Sequence, residues 1–227
     1  MAGSDDGTIQ EKWIVRRNII ENSDYAGIEL TNVKDSLVEE SEIKTGSGIS
    51  WDPDDSGVGV EIAVRDHGTG VTAGNNTVKN NLISFDVNTG SVAGPRAGIN
   101  ILSRAYVSSS NAVLNKVNLT GNNITGISSS GILATSESRN DGDATINNLL
   151  INDNILNGNE DGIFIHDLVS SGSGTASHSN INILMNKILN SFGTSSGIHI
   201  NPGTSASGIL VNFNYILNNN LFGVNNE

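Results

Sequence analysis

The chain has 227 residues, a formal net charge of −12, no cysteine and 4% aromatic residues. The lack of cysteine excludes a disulfide scaffold and a thiolate metal site, and no run of about 18 apolar residues marks a membrane-crossing helix. An acidic surface also disfavours a nucleic-acid partner, whose phosphates require basic side chains.

Residues 1–12 are polar and acidic, without the apolar core of a signal peptide. They read as a lead into one domain over 13–227. The charge is uneven: residues 1–66 hold 15 of the 24 acids and 6 of the 12 bases. Glycine (26 residues) outnumbers proline (3), and Asn, Ser, Ile and Val dominate the rest. This composition favours strands and turns over helix.

The first element, VRRNIIENSDYAGIELT at 15–31, sets a frame that the chain repeats. An apolar residue is followed three positions later by Asn and two positions after that by another apolar residue. The frame fits Val15/Asn18/Ile20 and then Val38/Ser41/Ile43, with Ser in the Asn place. It continues at Val78/Asn81/Ile83, Leu119/Asn122/Ile124, Ile151/Asn154/Leu156, Ile183/Asn186/Ile188 and Val211/Asn214/Ile216. After each copy comes Gly followed by Ile or Val, at Gly27, Gly48, Gly98, Gly131, Gly162, Gly197 and Gly223. Steps between successive Asn (or Ser) positions are 23, 40, 41, 32, 32 and 28 residues.

A repeat this variable, carrying period-two runs such as GIEL, GINIL, GIFIH and GIHIN, fits stacked short strands rather than a helical solenoid. Coils stacked about 4.8 Å apart align Ile and Val into one core, and seven would make a rod of roughly 34 Å. The glycines are expected to supply a positive φ at the entry to each strand. The asparagines tolerate turns and can bond one another from coil to coil as a ladder. Both ends of such a stack expose strand edges and core, which predicts coverage by another chain or a larger parent protein.

Gly-Ile-x-Ile after an Asn-x-Ile phrase, at irregular intervals over about residues 13–224, resembles the right-handed parallel β-helix of the pectin-lyase-like superfamily. The fold class expected is therefore all-β, a single right-handed parallel β-helix of about seven coils. The resemblance implies polysaccharide as partner and an extracellular or virion-surface location. Its members include lyases, glycoside hydrolases, uronan epimerases, phage tailspikes and non-catalytic surface proteins, so the site must decide the chemistry.

Alternation after each Gly-Ile separates inward Leu30, Trp51, Ile101, Ala134, Ile165 and Ile200 from an outward set. The outward set begins with Glu29, Thr31, Ser50 and Asp52 and continues with Asn100, Leu102 and Arg104. Leu133, Thr135, Phe164, His166, His199 and Asn201 complete it. His166 and His199 fall on neighbouring coils as candidate acid and base, with Asp167 following His166. Arg104 is the candidate grip for a sugar carboxylate. Phe164, Asn100 and Asn201 are candidate substrate contacts.

A second cluster, WDPDDSG at 51–57 with VRDHG at 64–68, gathers Asp52, Asp54, Asp55 and Asp66 with Arg65 and His67. Carboxylates on loops hold Ca²⁺, which can bridge a uronate to an acidic protein. Asp52, Pro53 and Asp55 are similar to the Asp-Pro-His-Asp core of mannuronan epimerases, with Asp54 in the place of its histidine. The two candidate readings are a carbohydrate-acting enzyme and a non-catalytic glycan-binding or stalk segment.

Overall fold

The computed structural model describes residues 2–3, 7–23, 25–45, 57–85, 97–192, 196–201 and 206–226. Among them there is no helix. The strands form three sheets, A, B and C, of eight, nine and seven strands, and within each sheet every neighbouring pair runs parallel. Sheet order follows chain order, so each turn of the chain adds one strand to B, then C, then A. This is an all-β parallel β-helix.

Seven coils follow from this order. Their sheet A strands are Ala26–Thr31, Val58–Asp66, Ala97–Ala105, Ser130–Ser138, Asp161–Val169, Ile198–Asn201 and Val224–Asn226. Their sheet C strands are Ile19–Ser23, Glu42–Thr45, Leu82–Phe85, Asn123–Thr125, Ile155–Asn157, Lys187–Leu189 and Tyr215–Leu217. Sheet B carries the apolar residue that precedes each Asn, for example in Val71–Lys79 and Asp143–Asn152.

The core is built by register. Ile99, Ile132, Ile163 and Ile198 are consecutive Cα partners in sheet A, and each is fully buried. Ile83, Ile124, Leu156 and Ile188 do the same in sheet C. One coil alone would leave its apolar face in water. The next coil covers it, which is why the phrase repeats.

The asparagine ladder forms as expected. The backbone N–H and the side-chain Nδ2 of Asn122 both donate to Asn154 Oδ1 at 3.0 Å. Asn154 donates in the same way to Asn186 Oδ1, at 3.0 Å for both bonds, and Asn186 to Asn214 Oδ1, at 2.9 Å for both. Each amide also reaches back to a sheet B carbonyl, as Asn154 Nδ2 does to Leu119 O at 3.0 Å. The turn from B to C is thus saturated from within.

Two expectations need correction. The left-handed backbone does not fall on the strand-entry glycines Gly27, Gly98, Gly131, Gly162, Gly197 and Gly223, or on the ladder Asn, and Gly48 lies outside the described residues. It falls on the residue just before each ladder position: Arg17, Glu40, Asn80, Gly121, Asp153, Met185 and Phe213, with φ between 51° and 66°. The strand-entry glycines serve close approach instead. A Cβ on Gly98 would lie 2.3 Å from Ile124 Cγ2 and 2.7 Å from Gly131 O. One on Gly162 would lie 2.4 Å from both Gly197 O and Ile188 Cγ2.

The second correction concerns coil two. Its sheet A strand starts at Val58-Gly59-Val60, not at Gly48-Ile49. Gly59 stacks between Gly27 and Gly98, so Glu61 and Ala63 take the outward places expected of Ser50 and Asp52, and Ile62 takes that of Trp51. Ser50, Trp51 and Asp52 lie outside the described residues.

Candidate functional site

The outward residues of sheet A form columns along the rod. The first runs Glu29, Glu61, Asn100, Leu133, Phe164, His199. The second runs Thr31, Ala63, Leu102, Thr135, His166, Asn201. A third holds Arg65, Arg104, Glu137 and Leu168. The alternation read from sequence therefore holds within each strand.

Exposure differs from the expectation. Outward residues of coils one to four are buried, and the face opens only at coil five, where Phe164, His166 and Leu168 become partly accessible. Arg104 is 1% exposed, and its Nε donates to Glu137 Oε2 at 2.6 Å. Glu137 also receives the Arg139 guanidinium. Arg104 therefore does not stand in solvent to grip a sugar carboxylate, because its charge is matched internally. Asn100, also 1% exposed, donates to Glu61 Oε2 at 2.9 Å. Arg65 bridges Glu29 (3.0 Å) and Glu61 (2.7 Å) in the same buried band. Burial explains the pairing, since an unmatched charge here would lose its hydration without return.

The open part of the face gathers three rings. Phe164 lies 4.4 Å from His199 and 5.2 Å from His166 between ring centroids, with interplanar angles of 13° and 9°. His199 is the direct cross-strand neighbour of Phe164, and Asn201 that of His166, so the two imidazoles sit diagonally across Phe164. His199 Nδ1 lies 4.0 Å from Asp161 Oδ2, while Asp161 Oδ1 accepts the Ser196 N–H at 2.9 Å. Next to it, burial pushes the Glu160 carboxyl up from its usual range, and the neighbouring Asp161 charge adds to the effect. Glu160 and Asp161 are absent from the sequence reading. Counting alternation back from Phe164 past Gly162 reaches Glu160, whereas Asp161 has the parity of inward Ile163 and carried no such signal.

Asp167, which follows His166, points the other way. It turns inward and pairs with Nδ1 of His178, a sheet B residue with no exposed surface. Neither belongs to the outer face. His67 is stacked on Tyr106, with centroids 4.1 Å apart and an interplanar angle of 8°, at the A-to-B turns of coils two and three.

Of the proposed calcium ligands, Asp52, Asp54 and Asp55 lie outside the described residues. Asp66 is fully buried and committed to backbone amides. Its Oδ1 accepts Gly68 N–H (3.0 Å) and Thr69 N–H (2.9 Å), and its Oδ2 accepts Gly70 N–H (3.0 Å) and Asn111 N–H (2.7 Å). It is a turn anchor and is not presented to an ion. Among the described residues, no group of three or more His, Cys, Asp or Glu side chains is placed to hold a metal.

Asp66 also gives a pH prediction. Burial raises its pKa, but the amides outweigh burial and the net direction is down. A group whose folded pKa is depressed contributes stability above its unfolded value and loses it as pH falls through the folded one. Melting temperature should therefore drop on acidification below about pH 4, the ordinary carboxylate range. Asp66→Asn should flatten that acid limb, and an acid limb identical to that of the parent would contradict this role.

No protein-family model matches the chain, and no curated protein sequence matches it.

Proposed function

We propose that this chain is a carbohydrate-acting β-helix domain of the pectin-lyase-like kind that holds polysaccharide against the open outer face of sheet A, at an extracellular or virion surface. The observation that supports the reading most is the cluster of Phe164, His166 and His199 where the face becomes accessible, with Asp161 behind His199. An aromatic ring offers apolar contact to a sugar. Imidazoles titrate near neutrality and serve as acid, base or hydrogen-bond partner. Asn201 adds an amide with both donor and acceptor character. Arg104 and Asn100 act beneath this face as part of its buried support.

The second reading is a non-catalytic glycan-binding or stalk segment. It is favoured by the outer face of coils one to four, where the charges are buried and matched with one another.

A glycan array followed by a turnover screen on polysaccharides, with and without Ca²⁺, tests both readings. If His166 is an acid or base, His166→Ala should abolish turnover and leave binding largely intact. If the face only binds, the same variant should weaken binding, with no turnover in the parent. Parent protein that captures no glycan would remove the carbohydrate reading and leave the stalk.

A further inference from the structure

We infer that the glycan held by this face is a neutral, hydroxyl-rich one and not a uronate; the inference rests on the carbohydrate reading above and narrows its substrate class. Among the described residues, every arginine in the outward columns and at their edge has a carboxylate partner: Arg65 with Glu29 and Glu61, Arg104 and Arg139 with Glu137. Among the described residues, the sheet A strands of coils five and six, Asp161–Val169 and Ile198–Asn201, contain no Lys or Arg. Asp161 lies 4.0 Å from His199 and Glu160 precedes it in the chain, and the whole chain carries −12. A uronate would bring one negative charge per sugar to a surface already negative, with only imidazoles to meet it.

Hydrogen-bond polarity points the same way. The Asp161 carboxylate beside His199, and that of Glu160 before it in sequence, accept hydrogen bonds when ionised, which favours a donating ligand. Sugar hydroxyls donate as well as accept, whereas an ionised carboxylate only accepts. The consequence for chemistry is direct. β-Elimination and C5 epimerisation both remove a proton next to a carboxylate, so a neutral glycan leaves binding or hydrolysis as the role of this face.

The test uses the full chain and matched glycan pairs that differ only at C5, bearing either a hydroxymethyl group or a carboxylate: glucan against glucuronan, and galactan against galacturonan, as oligosaccharides. Affinities are measured by calorimetry at low and high salt. In each pair that binds, the neutral member should bind at least about tenfold more tightly at low salt, with the gap narrowing as salt screens the repulsion. Glu160→Gln with Asp161→Asn, confirmed as folded by circular dichroism, should bring the acidic member to within a fewfold of the neutral one. An acidic member that binds as tightly as its neutral twin overturns the inference while leaving the glycan-binding face in place. Failure of every pair to bind strikes the glycan-binding face itself.

Discussion

Ile163→Asp should abolish the cooperative fold. Ile163 is fully buried and stacked between Ile132 and Ile198, its Cα partners on the coils before and after. Truncating a core isoleucine costs about 2–5 kcal/mol. The carboxylate would add several kcal/mol, because no partner waits for it in that apolar column. The sum approaches the whole stability of a typical domain, about 5–15 kcal/mol. In a stack where each coil touches only its neighbours, the damage should spread outwards from coil five. Circular dichroism melts should show loss of the β signal or a split transition. Phe164→Asp, one residue on and facing outwards, should cost far less. Equal behaviour of the two variants would mean that the inward and outward assignment is wrong.

The second large effect belongs to the ladder. Asn154→Ala removes the acceptor for two Asn122 donors and the donor to Leu119 O, all of them in the interior of the turn. Each buried group left without a partner costs about 1–3 kcal/mol, so the loss should reach a few kcal/mol in denaturant titration. Asn154→Ser should recover part of it, because Ser41 fills this place naturally and accepts the Asn18 N–H at 3.2 Å. A melting temperature unchanged in the alanine variant would show that the ladder contributes no net stability.

These predictions draw on features that were legible in the sequence. The Asn frame and period-two runs located the ladder and the core columns because both are local patterns, repeated at every coil. The true start of coil two was obscured because Gly48-Ile49 and Gly59-Val60 present the same local pattern, and only the register against Gly27 and Gly98 selects the second. Nor was the left-handed column visible. Met185 and Phe213 hold φ of 53° and 55°, although such residues seldom adopt positive φ. Only Gly121 of that column is a glycine, so glycine does not mark the rest in the sequence.

The outer face was half legible. Alternation assigned Arg104, Asn100, Phe164, His166 and His199 to it correctly. Alternation carries no information about what lies above a strand, so it did not separate the buried band of coils one to four from the open part of coils five and six. Pairing of Arg104 with Glu137 follows from adjacency between coils, 33 residues apart in sequence. Asp161 behind His199 likewise depends on a contact across coils.

The four histidines offer the most direct test of the functional account, since they report three different places: His67 on the Tyr106 stack, His178 in the core, and His166 and His199 on the open face. Their ring resonances can be followed by NMR while a neutral oligosaccharide from the array is titrated in. Resonances of His166 and His199 should shift together along one saturation curve, with those of His67 and His178 unmoved. Saturable glycan binding that leaves His166 and His199 unshifted would contradict the account and place the site elsewhere on the rod.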